Sequence, residues 1–136
     1  EKDYQQLTIV RRLVADLDLP VEVIGCATVR EPDGLARSSR NAYLEPGERV
    51  VAPALHRALQ EGAEILRRGG SPDDARERMQ DLVRDAGMFR LVYAEPVDPE
   101  TLQPLTEPLP SGASARLLIA AHLGRTRLID NLEVHR

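Results

Sequence analysis

The sequence predicts an α+β fold in two parts. A helix and a strand belong to the edge of a parallel sheet, and a small domain of two helices and about three antiparallel strands follows. Three observations predict it. Apolar residues recur at helical spacing in three stretches before residue 87, the period drops to two from Phe89 onward, and the polar run 30–41 (REPDGLARSSRN) divides the chain. The division is drawn between residues 1–29 and residues 30–136.

The first helix covers residues 3–17, with Leu7, Ile9, Val10, Leu13, Val14 and Leu17 on one face and Arg11, Arg12 and Asp16 off it. Pro20 ends it. Residues 21–29 (VEVIGCATV) form a β-branched run that reads as a buried strand, and Cys26 within it reads as core packing. Nothing upstream supplies partner strands, so residues 1–28 are expected to be poorly anchored. Residues 30–41 read as a loop with the turn pair Asp33-Gly34.

A helix over residues 48–68 follows from Val51, Leu55, Leu59, Ala63 and Leu66, closed by Gly69-Gly70. Ser71 is an N-cap, with Pro72 at the first helical position and Asp73 and Asp74 in the first turn, and this helix runs to about Ala86. Residues 89–96 (FRLVYAEP) alternate as a strand. Residues 98–111, with four prolines, form a loop. Residues 115–122 (ARLLIAAH) and 127–134 (RLIDNLEV) are strands joined by a short glycine turn, an antiparallel hairpin.

Composition sets further bounds. The chain has 136 residues, 42% hydrophobic and 29% charged, which suits an aliphatic core with only Tyr4, Tyr43, Phe89 and Tyr93 as aromatics. A formal net charge of -4 argues against a general nucleic-acid binder. No apolar run approaches the ~20 residues of a membrane span. A single cysteine cannot form an internal disulfide, which fits a reducing compartment such as the cytoplasm. Of 18 basic residues only Lys2 is a lysine.

Two stretches carry candidate chemistry. Glu1-Lys2-Asp3-Tyr4-Gln5-Gln6 opens the first helix, where free N–H groups and the helix dipole favour an anion; the alternative is a solvated first turn. Ser38-Ser39-Arg40-Asn41 offers two hydroxyls and a guanidinium suited to a polyphosphate, or simply caps in a polar loop. A parallel sheet would bring the two together at its carboxyl end, with the backbone of Thr28 and Val29 facing a base. His56, His122 and His135 have no metal-ligand spacing. Asp130-Asn131 reads as satisfying backbone groups in a turn or bulge. The arginines at 67–68 and 76–78 read as solvated helix faces.

The stretches Lys2–Leu7, Thr28–Glu31, Asp33–Ala36 with Ser38–Asn41, and Gly124–Asn131 together resemble the pantoate–β-alanine ligase (pantothenate synthetase) family over essentially the whole chain. The resemblance implies a nucleotidylyltransferase-type enzyme with a Rossmann-like N-terminal domain, whose tail is residues 1–29, and a C-terminal lid domain, residues 30–136. It implies ATP with Mg²⁺, pantoate and β-alanine as substrates, and a pantoyl-adenylate and pyrophosphate before the amine attacks. By position, Glu1, Lys2 and Asp3 fall in the ATP-binding stretch, with Lys2 on phosphate and Asp3 near the ribose. Val29 would meet the adenine through its backbone. Arg37, Ser38, Ser39 and Arg40 would form the counterpart of a KMSKS-type loop, with the last three on the phosphates, and Gln6 would bind pantoate.

Arg37 departs from the apolar residue the family pattern leads one to expect. No HxGH pattern occurs, so the catalytic histidine motif and the magnesium site are expected in an N-terminal domain outside this chain. The chain alone is therefore expected to be inactive and able to stand as a monomer, and the resemblance implies a homodimer for the full-length protein. A non-catalytic nucleotide-responsive or interaction domain of the same superfamily is the alternative. A tRNA synthetase fragment is disfavoured by the acidic balance.

Overall fold

The computed structural model describes residues 1–136. Four α-helices and three strands occur in the order α1 (Tyr4–Asp16), α2 (Pro46–Val51), α3 (Ala54–Arg67), α4 (Pro72–Asp85), β1 (Phe89–Val97), β2 (Ser114–Leu123) and β3 (Thr126–His135). The strands form one antiparallel sheet in the order β1-β2-β3. The α+β class, the α4 helix and the three antiparallel strands stand as expected.

The core lies between α3, α4 and one face of the sheet. Leu55, Leu59 and Leu66 of α3 and Met79 and Val83 of α4 pack against Leu117, Ile119, Leu123 and Val134, all fully buried or nearly so. Their spacing explains both elements: i, i+4, i+7 residues line one side of each helix, and alternate residues of β2 face it. Gly62 permits the helix pair to close, since a β-carbon there would meet the Met79 side chain. The N-cap reading of Ser71 is correct: its hydroxyl accepts from the Asp74 N–H at 3.0 Å, and the Asp74 carboxylate accepts from the Ser71 N–H at 3.3 Å.

The other face of the sheet is covered differently. There Tyr4 packs on Val97 and Leu118, below the start of α1. The sheet is thus sandwiched between a two-helix layer and the first residues of the chain.

Four local expectations are corrected. Residues 21–29 form no strand. Backbone pairing requires a neighbouring strand, and this segment has none: the Val29 carbonyl accepts from the Arg37 N–H at 2.9 Å and the Cys26 carbonyl from the Glu1 nitrogen at 2.6 Å, beside a single bridge between Arg30 and Ala36. Cys26 is consequently exposed instead of packed in a core. The helix expected over 48–68 is two helices, because Pro53 has no N–H to continue the ladder and stands as the N-cap of α3. The loop expected at 30–41 contains the start of a 3-10 turn, Ser39–Tyr43, capped by Ser38.

Candidate functional site

The site begins at the entrance to α1. Asp3 caps the helix, its carboxylate accepting the Gln6 N–H at 3.1 Å. Lys2 stands just outside the cap and is half-buried. Desolvation holds its amine below the usual lysine range; the Asp130 carboxylate opposes that shift, the Arg40 guanidinium reinforces it and Asp3 opposes it. An ammonium stripped of part of its water, beside a second cation, favours an incoming anion.

Under Lys2 lies a buried polar network on β3. Asp130 faces the helices and accepts two hydrogen bonds from Arg30, at 2.6 and 2.9 Å, a bidentate pair. Arg30 also donates to the carbonyls of Gly34 at 3.1 Å and Asn131 at 3.3 Å, which fixes the 30–36 turn against the edge of β3. His56 of α3 approaches Asp130 to 3.8 Å without a hydrogen bond, and its Nδ1 is buried without a partner. Desolvation pushes the His56 pKa down, with Arg30 adding to the effect and Asp130 opposing it, so the ring is kept neutral. Gly34, at φ +93°, sits against that ring, and a β-carbon there would meet the His56 Cδ2 at 2.7 Å.

Asn131, the next residue, faces the opposite side of the sheet. It donates to the carbonyls of Glu1 and Lys2, both at 2.8 Å, and accepts from Arg116 at 3.1 Å. The Arg116 guanidinium stacks 3.8 Å from the centroid of the Tyr4 ring.

Beside this network opens a cleft of about 900 Å³ between the 3-10 turn and the β2–β3 hairpin, lined by Arg40, Tyr43, Glu45, Arg125, Thr126 and Arg127 among others. Gly124 lets the hairpin turn approach α2, because a β-carbon there would collide with the Glu48 carboxylate.

The comparisons with known proteins agree with one another. The model of the family described as Pantoate-beta-alanine ligase matches residues 1–133.

The chain belongs to the pantoate–β-alanine ligase family.

Among relatives, the pantothenate synthetase of Hyphomonas neptunium is 49% identical over 138 residues, covering 100% of this chain and 47% of its own length. That of Thermus thermophilus is 50% identical over 135 residues, covering 99% and 48%. The chain thus spans about half the length of the curated relatives it matches. The crystal structure of the Thermus thermophilus protein superposes on all of this chain with a TM-score of 0.93 at 50% identity, using 48% of its own residues. A pantoate–β-alanine ligase from Francisella tularensis, described as complexed with β-γ ATP and β-alanine, superposes on 97% with a TM-score of 0.62 at 26% identity, using 41% of its own.

The structure groups some of the residues the ligase resemblance singles out and leaves others apart. Lys2 and Asp3 line a small pocket with Asp130, and the Arg40 guanidinium lies within electrostatic reach of Lys2. Glu1 contributes its carbonyl to the Asn131 amide. Gln6 is exposed in the first turn of α1, and its neighbour Gln5 accepts from the Tyr93 hydroxyl at 3.0 Å. Val29 is 62% exposed and bonds Arg37 through its backbone. The Arg37 guanidinium turns to Glu31 at 3.0 Å, so only its main chain takes part in the Val29 contact. The Ser38 hydroxyl accepts from the Arg40 N–H at 3.2 Å, and Ser39 is exposed.

Arg30, His56 and Arg116 are not among the expected site residues. The reading of Asp130-Asn131 as a turn or bulge is corrected: the pair is the buried centre of β3, which pairs with β2 without interruption. The available signal is two adjacent polar residues in mid-strand (RLIDNLEV), one of which must face each side. No group of three or more His, Cys, Asp or Glu residues gathers to hold a metal ion. No helix is long and apolar enough to cross a membrane.

Proposed function

We propose that this chain is the C-terminal part of a cytoplasmic pantothenate synthetase, which condenses pantoate and β-alanine with ATP through a pantoyl-adenylate and releases AMP and pyrophosphate. Residues 1–29 would be the tail of its Rossmann-like domain and residues 30–136 its lid. The observation that carries the reading is that Lys2 and Asp3 share a small pocket with Asp130, within electrostatic reach of Arg40, on a chain of this family. A solved relative described as complexed with a β-γ ATP species and β-alanine supports ATP and β-alanine among the substrates.

The chemistry follows from charge. Attack of the pantoate carboxylate on the α-phosphate drives negative charge onto that phosphate and onto the leaving pyrophosphate. Lys2 and Arg40 would compensate it, with Ser38 and Ser39 as hydroxyl donors. The backbone at Val29 and Arg37 would border the adenine. Glu1 and Asp3 would complete the nucleotide stretch, and Gln6 would hydrogen-bond pantoate. Mg²⁺ would arrive with the ATP phosphates and would offset part of their charge. The catalytic histidine motif is assigned to residues outside this chain, and the full-length enzyme to a homodimer.

Replacing Lys2 by Ala in the full-length enzyme should cut pantoate-dependent pyrophosphate release by about 10²-fold, the usual loss for one donor to developing charge. A near-normal rate would remove Lys2 from the phosphate site. The 136-residue chain alone should release no pyrophosphate from ATP and pantoate, and turnover by it would overturn the division of the active site.

A further inference from the structure

Nothing in the apolar core requires an asparagine at position 131. The residue faces away from the helices, next to apolar Leu118 across the ladder, and is 4% exposed. Burying an amide there is unfavourable unless all its hydrogen-bonding groups are used. They are. Both Nδ2 hydrogens go to consecutive carbonyls, Glu1 and Lys2, and Oδ1 accepts from Arg116. The reversed amide would set oxygen against two carbonyls and NH₂ against a guanidinium, so these partners dictate its orientation.

The same neighbourhood grips residue 4. Arg116 stacks on the Tyr4 ring, and the Tyr4 hydroxyl donates to the Pro99 carbonyl at 3.0 Å. By contrast, the apolar side chains Ile9, Leu13 and Leu17 at α1 are exposed. Within this chain, the Lys2 backbone is therefore tied to the sheet directly by the Asn131 amide, with Tyr4 as a second anchor two residues on.

We infer that Asn131 is a positioning residue for adenylation. By holding the carbonyls of Glu1 and Lys2, it fixes the point from which the Lys2 ammonium reaches the anion. A lysine side chain is long and flexible, and fixing its root limits the volume its charge explores. The inference rests on Lys2 acting as a phosphate contact.

A double-mutant cycle in the full-length enzyme tests it. Asn131→Asp keeps the shape but turns a carboxylate toward two carbonyls, and Asn131→Ala removes the donors without burying a charge. Each should lower kcat/KM for ATP by about 10-fold or more. In the Lys2→Ala background each should cost less than about 2-fold, because the residue it positions is gone. If Lys2→Ala is impaired but the Asn131 variants are normal, or if the losses multiply, the positioning role is wrong and the Lys2 assignment survives. If Lys2→Ala is itself normal, both fall.

Should neither Asn131 variant fold, the unaltered chain still decides. Its Asn131 side-chain amide should give two resolved, slowly exchanging protons by NMR. Exchange at the rate of a free asparagine amide would overturn the clamp.

Discussion

Residues 4–29 and residues 54–136 belong to one chain but are held by different forces. The second region contains the whole main core except Leu35 and Ala52, with two helices packed on one sheet face. In the first region only Tyr4 is buried. Yet α1 forms while residues 21–29 do not become a strand. The difference lies in where each element finds its hydrogen bonds. A helix closes its own ladder within four residues, whereas a strand makes its ladder bonds only with a neighbour. Apolar pattern alone therefore predicts a helix in isolation better than it predicts a strand.

The sharpest way to break this comparison is to cut a side chain from each region. Leu59→Ala or Leu117→Ala should lose about 2–5 kcal/mol in urea unfolding, since both side chains are fully buried. Leu13→Ala, on the exposed face of α1, should stay within about 0.5 kcal/mol. Equal losses would mean that α1 is as firmly docked as the core helices.

Hydrogen exchange sharpens the same contrast. Backbone amides of residues 117–121 should exchange only on global unfolding, and those of residues 22–28 nearly as fast as in an open chain. Slow exchange at residues 22–28 in a demonstrated monomer would contradict the unpaired segment.

A smaller effect is expected at the α4 cap. Ser71→Ala should cost about 1 kcal/mol in the same unfolding measurement. The cap serves a helix already packed on the core, so no loss at all would show that packing alone sets where α4 starts.

The smallest effect is a pH dependence at His56. Its pKa is pushed down in the folded chain, chiefly by desolvation, so the unfolded chain binds the proton first. The stability that rests on a neutral ring is present above the unfolded value of about 6.5 and is lost as pH falls from there toward the folded value. His56→Gln should flatten that slope in thermal melts between about pH 7 and about pH 5, and an unchanged slope would assign it to other groups.

How much of the fold is legible follows from the same distinction. The three antiparallel strands and α4 are readable, because alternation, the Ser71-Pro72 cap and the glycine turn are local signals. Pro53 is equally visible in the sequence, but the apolar spacing on either side of it runs in phase and masks the break in the 48–68 segment. The candidate site is legible in part. Lys2 draws attention as the only lysine, and the polar loop supplies Arg40. Arg30, Arg116 and His56 are not readable, since their meaning comes from partners distant in sequence, such as the 100 residues between Arg30 and Asp130.

Asp130 and Asn131 are consecutive residues that serve opposite faces of one strand. A single-residue insertion or deletion earlier in β3 would turn each to the opposite face. Aspartate would then point away from the Arg30 guanidinium and asparagine away from the two carbonyls of Glu1 and Lys2, severing both attachments at once. The hairpin turn at Gly124-Arg125 is therefore a place where chain length, and not only residue type, is constrained.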